Sequence, residues 1–555
     1  MPRERAPLVG NQVPEPPWGH SLAIFAAASL VYGLWPSRNH NYADDSLRFA
    51  LRLTQPHGII VSHHLYLNAM RALWRAIDRM GLTPDPVRLL SLYAALAGAV
   101  ALVFLDRLLR RLGLGRVAAA GVLLCAGTAG FWAYAIVGDV YVPALAFLVI
   151  GADFTVAAFR ATGSAFRRNV WIAIAAFTLA VFHHQANAVY VVGVGLGTLL
   201  VRTLPMRRRL GLAVGLPLAT GVLSLLVYAG AYAAFPEEHA HGFAGLLMGY
   251  GESYKPLPDM RRLGPGTAVN ACAGVARALV STNALFRDPG FTRAVQMRFP
   301  YRNVYPYPYL VRHMPLVLAR VLVLLAAAAA AATMGLALLG IVDSLRRRET
   351  DVAVVFAALP QALFFMWWEA ISDEFWIWSL PFIALAAAVG AARTRASSRV
   401  LQALAVAVGA TTLLGSILPY ASEGNDLDAV NDRYLSEATP VDLVIGFDEI
   451  QSEARTRLLL RRQGFHYFNV LSRAANWSAS DSLALEGELA GALSRGGRVI
   501  IDPYLTHPPR SNIAHIGLDN PIFERQRKQW VARLARVDAP RVVWVPLVGD
   551  PRDFR

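Results

Sequence analysis

Long apolar stretches, punctuated by short arginine-rich segments, dominate the first three quarters of the 555-residue chain. A helix that crosses a bilayer needs about 17 to 25 mostly apolar residues. Such stretches occur at 19–35, 89–105, 117–137, 140–159, 210–234, 315–342, 352–368, 375–392 and 400–419. Residues 169–201 are too long for one span, and His183, His184, Gln185 and Asn187 interrupt their middle. With Arg167 and Arg168 before the segment and Arg202 after it, the pattern predicts two short helices that turn at the histidines. The expected architecture is a polytopic α-helical membrane protein of about eleven transmembrane helices.

Arginine placement orients these spans, because short cytoplasmic loops are enriched in Lys and Arg. Alternate loops hold Arg107, Arg110, Arg111 and Arg116; Arg160, Arg167 and Arg168; Arg202 and Arg207 to Arg209; Arg346 to Arg348; and Arg393, Arg395 and Arg399. All fall on one side, which Arg3 and Arg5 of the N-terminus share. The layout predicts a cytoplasmic N-terminus over 1–18, a membrane domain over 19–419 with outer loops 36–88 and 235–314, and an extracytoplasmic segment over 420–555. Pro-rich residues 6–17 precede a first span that lacks an obvious small-residue cleavage site, so no cleaved signal peptide is expected.

The last segment has a different pattern. Short β-rich runs at 441–445, 467–471, 499–501 and 542–545 alternate with helical patterns at 449–462 and 480–494. Such alternation predicts a small α/β domain. It holds neither a GxGxxG nor a P-loop sequence.

Composition narrows the class. The chain is 55% hydrophobic and 16% charged, against about a quarter charged in soluble proteins. An ordinary cytosolic enzyme, a disordered protein and a coiled coil are excluded. The formal charge is +15, but a nucleic-acid partner is not implied, because the arginines between apolar segments read as topology signals. Residues 420–555 carry 17 basic and 18 acidic residues, so the positive excess belongs to the first 419. Cys125 and Cys272 provide neither a disulfide framework nor a cysteine metal site. All basic residues except Lys255 and Lys528 are arginine. This usage is associated with GC-rich bacterial genomes and suggests a bacterial inner (plasma) membrane.

The first outer loop opens with Asn41-Tyr42-Ala43-Asp44-Asp45-Ser46, within about ten residues of the first span. Adjacent carboxylates there suit deprotonation of a hydroxyl or binding of a divalent cation, Mg or Mn. The competing reading is that Asp44 or Asp45 caps a helix starting at Ser46. His57, His63 and His64 follow, able to orient a phosphate or ligate a metal, although neighbouring histidines point to opposite sides of a helix. Leu65, Ala69, Ala72, Leu73, Ala76, Ile77 and Met80 then keep the 3.6-residue period, which predicts a helix lying in the membrane interface.

Polar interruptions at other outer span ends are further candidates: Asp139 with Tyr141, and His183 with His184. Glu369, Asp373 and Glu374 sit among tryptophans that also fit an interfacial belt. Loop 235–314 holds nine basic residues against five acidic ones, and Lys255, Arg302 and Arg312 are its candidate phosphate ligands. Its run Arg298-Phe299-Pro300-Tyr301-Arg302 to Tyr309 interleaves guanidiniums with aromatic rings, suited to a lipid phosphate-sugar or to anionic head groups.

This layout resembles the GT-C superfamily of integral-membrane glycosyltransferases, and within it the bacterial relatives of protein O-mannosyltransferases. The resemblance is carried by Asp45-Ser46 followed by Gln55-Pro56-His57-Gly58, by Phe131-Trp132 with Asp139-Val140-Tyr141, by Phe182-His183-His184, and by Glu374-Phe375-Trp376 running into Leu380-Pro381. It covers 19–210 well, 350–392 moderately and the tail hardly at all. Asp139 stands where the family usually has Glu, and Pro-His-Gly where His-Pro-Pro-Gly is common. The resemblance implies a polyprenyl-phosphate sugar donor, an extracytoplasmic acceptor and an inverting transfer. It further implies Asp45, or Asp44, as the base, and Arg302, Arg312 or Lys255 on the leaving phosphate. No cofactor beyond a divalent cation is expected.

Two other functions fit the composition: a transporter or flippase for a lipid-linked glycan, and a non-catalytic scaffold. Transporters often carry repeats and broken helices at mid-membrane. The polar residues here lie mostly at outer helix ends, which favours surface chemistry over passage.

Overall fold

The structure is a computed structural model and describes residues 18–37, 45–54, 65–82, 84–234, 242–243, 264–291, 294, 314–393, 398–422, 435–446, 456–460, 463–470, 473, 477–502, 505, 521–536 and 541–544. Its membrane part begins with α1 (Trp18–Leu34), the short α2 (Ser46–Leu53) and α3 (Tyr66–Arg79). The bundle continues through α4 (Pro86–Arg111), α5 (Gly115–Gly127), α6 (Ala129–Ala135), α7 (Tyr141–Arg160), α8 (Gly163–His183), α9 (Asn187–Leu200) and α10 (Met206–Ala234). After α11 (Pro265–Leu279) come α12 (Leu316–Arg347), α13 (Asp351–Glu369), α14 (Asp373–Arg393) and α15 (Ser398–Ala421).

Among the described residues eight helices are long and apolar enough to cross a membrane: α4, α7, α8, α10, α12, α13, α14 and α15. The chain is therefore a multi-pass membrane protein. The predicted span at 117–137 is not one straight helix. It breaks into α5 and α6, bent by 67°, and counting this pair as one span gives nine. The break falls at Thr128, whose extended backbone (φ −65°, ψ 146°) ends one helix and starts the next. Its hydroxyl donates to the Cys125 carbonyl at 2.7 Å, replacing a bond lost at the break. Two shorter apolar helices, Gly19–Leu34 and Asn187–Leu200, lie on the other predicted segments. The turn expected at the histidines falls between α8 and α9.

Helices α7 and α14 form the centre of the bundle, with 83% and 89% of their apolar windows enclosed, against 17% for α10. Helix α10 instead leaves Leu210, Val214, Leu218, Leu225 and Leu226 exposed, the surface that lipid requires. Helix α9 meets α13 through small residues. A Cβ on Gly193 or Gly197 would come within 2.6 Å of the Ala357 or Ala353 carbonyl, so only glycine permits this approach.

The arginine-rich helix ends are stitched together by acids. Arg111 pairs with buried Asp153 at 2.8 Å and Arg107 with the same group at 3.6 Å. Asp106 accepts from Arg110 at 2.8 Å and lies 3.2 Å from His20, which brings the start of α1 to the end of α4. Arg393 bridges Asp343, Glu349 and Asp351. Part of the basic excess thus holds the bundle together.

In the tail, β1 (Leu443–Gly446), β2 (His466–Asn469), β3 (Val499–Ile501) and β4 (Val542–Trp544) form one parallel sheet in the order β2-β1-β3-β4. Helices α16 (Ala479–Ser494) and α17 (Pro521–Leu534) are the longer helices beside it. Ser478 caps α16 in a reciprocal box with Asp481. Trp477, Leu485, Leu489, Trp530 and Leu534 pack with Leu443, Ile445 and Ile501, while Leu435, Phe465, Val444 and Ile500 form a second cluster. The alternation of strand residues between the two clusters is the period-2 pattern of a sheet covered on both faces.

Candidate functional site

Asp45 immediately precedes α2, where a capping residue would stand. Its backbone is helical (φ −95°, ψ −16°) rather than extended, and its side chain makes no capping hydrogen bond. Its Oδ1 accepts from Arg48 at 2.7 Å instead. The capping reading is thereby overturned for Asp45, because a helical backbone turns the carboxylate away from the first free N–H groups. The carboxylate is partly exposed and lies within electrostatic reach of Glu374 and Tyr66.

Glu374 occupies the first turn of α14 and comes from the opposite end of the sequence. The Tyr141 hydroxyl donates to its Oε2 at 2.9 Å, and Tyr134 supplies a second hydrogen bond. Those two rings meet edge to face at 5.6 Å. Trp378 donates its indole N–H to the Tyr141 carbonyl at 3.0 Å, fixing the start of α7 against α14.

Asp373, beside Glu374, pairs with Arg277 at 2.8 Å. Arg277 lies on α11, which crosses α14 very closely. A Cβ on Gly274 would sit 2.6 Å from the Trp376 indole nitrogen and 2.5 Å from the Ala370 carbonyl. Gly274 precedes Arg277 by one helical turn, so the same close approach delivers the guanidinium to Asp373. Just beyond α11, the Asn283 amide donates to the Gly415 carbonyl at 2.9 Å and to the Tyr420 hydroxyl at 3.1 Å. These contacts fix the segment after α11 to the wide π-type turn Leu413–Ile417 within α15.

Asp139 is buried in the turn between α6 and α7, where its Oδ1 accepts from the Val140 N–H at 2.6 Å. His183 is also buried, and both of its ring nitrogens are engaged. Nδ1 donates to the Leu179 carbonyl at 2.7 Å, so Nε2 is the acceptor for the Tyr93 hydroxyl at 2.7 Å. His184 accepts from the Ala186 N–H at 3.2 Å and packs edge-on to Trp378 at 4.7 Å. Glu369 closes α13, half-buried, five residues before Glu374.

A helix, α3, forms over the predicted apolar stripe and has two distinct faces. Ala69, Ala72, Leu73, Ala76 and Met80 of the predicted stripe are exposed, as contact with lipid requires, while Tyr66, Leu67, Met70, Arg71 and Trp74 face the protein. Arg71 is buried, and it donates to Asn68 at 3.1 Å. The Trp74 indole N–H donates to the Pro84 carbonyl at 2.8 Å and anchors the helix. Tyr66 stacks on His183 with ring centroids 4.6 Å apart. Burial, and then the charge of Asp139, hold its phenol well above the usual tyrosine value, so it remains a protonated donor.

Five of the candidates, Asp45, Asp139, Tyr141, Asp373 and Glu374, thus gather with Tyr66, Tyr134 and Arg277 from α2, α3, α6, α7, α11 and α14 and the turn before α7. His183 and His184 support this cluster from the turn between α8 and α9. Asp44, His57, His63, His64, Lys255, Arg302 and Arg312 lie outside the described residues. Sequence reasoning missed Tyr66, Tyr134 and Arg277. Arg277 was one of nine similar basic residues in its loop, and Tyr66 falls off the apolar stripe that drew attention to α3. Among the described residues no group of three or more His, Cys, Asp or Glu side chains is placed to hold a metal ion. Asp45, Asp373 and Glu374 each engage a protein cation or hydroxyl instead.

No protein-family model matches the chain, and no curated protein does. Solved structures similar to it include ArnT from Cupriavidus metallidurans bound to undecaprenyl phosphate, at 12% identity and a TM-score of 0.49, covering 89% of this chain and 95% of that one. The oligosaccharyltransferase from Archaeoglobus fulgidus in complex with Zn and sulfate is similar at 14% identity and a TM-score of 0.49, covering 84% of this chain and 66% of that one.

Proposed function

We propose that the protein is a GT-C-type membrane glycosyltransferase that moves a sugar from a polyprenyl-phosphate-linked donor to an extracytoplasmic acceptor, inverting the anomeric centre. The observation that supports this most strongly is the convergence on Glu374 of a carboxylate, Asp45, and, through Asp373, of a guanidinium, Arg277. A displacement of phosphate by a hydroxyl needs both charges: a base on the entering oxygen and a cation on the leaving one.

In this mechanism the Asp45 carboxylate removes the acceptor hydroxyl proton. The acceptor oxygen forms the new bond to the anomeric carbon as the carbon–oxygen bond to phosphate breaks. The electron pair leaves on the phosphate oxygen, and the proton remains on Asp45. The Arg48 guanidinium, 2.7 Å from the Asp45 carboxylate, holds it in position at the start of α2. Arg277 meets the negative charge that develops on the lipid phosphate, together with Lys255, Arg302 or Arg312 of the same loop. Glu374, held by two tyrosines, accepts hydrogen bonds from hydroxyls of the sugar or the acceptor. His57, His63 and His64 complete the substrate-binding set from the first outer loop, and Glu369 lines its edge.

All eleven apolar segments cross the bacterial inner membrane in this reading. The N-terminus is cytoplasmic, and residues 420–555 form an α/β domain on the outer face beside the reaction. The test is incubation of the purified protein with polyprenyl-phosphate sugars and envelope extracts, with transfer read by mass spectrometry. Transfer from at least one donor is expected. No transfer from any donor, together with glycolipid movement across liposomes, would instead establish a transporter.

A further inference from the structure

Tyr66 has an arrangement that packing alone does not explain. Its side chain is 2% exposed, yet its hydroxyl has no hydrogen-bond partner among the described residues. A buried hydroxyl left in this state is destabilising, and a phenylalanine would fill the same space without that cost. The ring itself is well placed. It stacks on His183 at 4.6 Å with planes 15° apart, and Tyr93 continues the stack at 6.3 Å from Tyr66. His183 is locked by hydrogen bonds at both nitrogens, so the plane on which Tyr66 rests is rigid. With one face covered by His183, what the ring has left to offer is its hydroxyl, which lies within electrostatic reach of Asp139 and Asp45.

We infer that the Tyr66 hydroxyl is a sugar-binding donor that hydrogen-bonds one hydroxyl of the transferred sugar beside Asp139. The inference rests on the glycosyl-transfer reading and adds a ligand group to it. Charge decides which part of the donor meets Tyr66. Asp45 is paired with Arg48, and the charge of Asp139 disfavours phosphate oxygens on this side of the cluster, whereas Arg277 stands beside Asp373 on the other. A neutral hydroxyl suits the Tyr66 side, because it accepts from the phenol and donates to a carboxylate. The pair Tyr66 and Asp139 therefore forms a subsite for the ring hydroxyls, and Arg277 stands on the phosphate side. A site built to hydrogen-bond a substrate hydroxyl discriminates strongly against an analogue that lacks it. Tyr66 is accordingly a specificity-determining residue.

The experiment compares the full-length parent protein with Tyr66→Phe on undecaprenyl-phosphate mannose, glucose and galactose, and on the monodeoxy forms of whichever sugar the parent transfers. Tyr66→Phe keeps the ring and the stack. Its kcat/KM on the full sugar is expected to fall about tenfold to a hundredfold. For one deoxy position the parent and the variant should become equal, because the partner hydroxyl is already gone. The variant should melt no lower than the parent, since it loses no protein contact. Tyr93→Phe, which removes the hydroxyl on His183, controls for a disturbed stack and should lower melting without equalising any deoxy donor. Equal activity of Tyr66→Phe on the full sugar, or a uniform loss across all deoxy donors with lowered melting, overturns the inference and leaves the glycosyl-transfer reading intact. Absence of transfer by the parent with every donor overturns that reading, and the sugar partner of Tyr66 with it.

Discussion

The Tyr141 hydroxyl donates to Glu374 at 2.9 Å, joining residues 233 positions apart in the sequence. This bond ties the beginning of α7 to the beginning of α14, the two most enclosed helices of the bundle. It also holds a half-buried carboxylate next to Asp373 and within reach of Asp45. Removing the hydroxyl leaves Glu374 with Tyr134 alone. Tyr141→Phe should therefore destabilise the protein by about 1–3 kcal/mol and lower kcat/KM about tenfold. Thermal unfolding in detergent and transfer kinetics on the same preparation check both effects.

Arg277 is expected to act on the leaving phosphate, so its loss should appear in kcat. Arg277→Ala should lower kcat by about a hundredfold to a thousandfold, the scale for a lost charge-stabilising group. Arg277→Lys restores the charge without the forked geometry and should recover only part of the rate. Single-turnover transfer measures the effect. A change confined to KM would place Arg277 in ground-state binding alone.

The α9–α13 contact offers a test of the bundle itself. Gly193→Ala or Gly197→Ala would drive a methyl group to 2.6 Å from a backbone carbonyl on α13, which side-chain movement does not relieve. Each is expected to cost about 1–3 kcal/mol of stability. The measurement is the unfolding midpoint in detergent, with Gly211→Ala on α10, where a methyl group meets open space, as the neutral control.

A pH effect is expected in the tail. Burial pushes the Asp442 carboxyl up, but hydrogen bonds from Arg498 and Thr439 outweigh it and hold the group below the usual carboxylate value. A folded value below the unfolded one means that Asp442 contributes stability in full above about pH 4. That contribution is lost as pH falls below 4 through the lowered folded value. Hydrogen exchange of strands β1 and β3 in the full-length protein, corrected for intrinsic rates, should show protection falling across that range. Asp442→Asn should remove the acid-side step and lower protection at neutral pH.

The sequence made the apolar runs, the histidine turn, the amphipathic helix α3 and the four β-rich runs legible, because each is a local pattern of hydrophobic period. The break at Thr128 was not legible, since apolar residues continue through it and only the backbone torsion changes. The capping role open to Asp45 was equally undecidable from spacing, because caps are defined by torsions and not by residue type. Asp139, Tyr141 and Glu374 were visible as polar residues at span ends. Their partners Tyr66, Tyr134 and Arg277 were not, because only the folded packing of α3, α6 and α11 singles them out from similar tyrosines and arginines.

Asp45 carries the central claim, and its carboxylate is the group to remove. The measurement is sugar transfer by purified Asp45→Asn, with Asp44→Asn beside it, under conditions where the parent is active and both variants insert normally. Asn keeps the size and polarity of Asp45 but removes the base and its charge pairing with Arg48. The account predicts a loss of at least about a hundredfold in kcat for Asp45→Asn with little change in donor binding. Full transfer by Asp45→Asn and Asp44→Asn alike would contradict it.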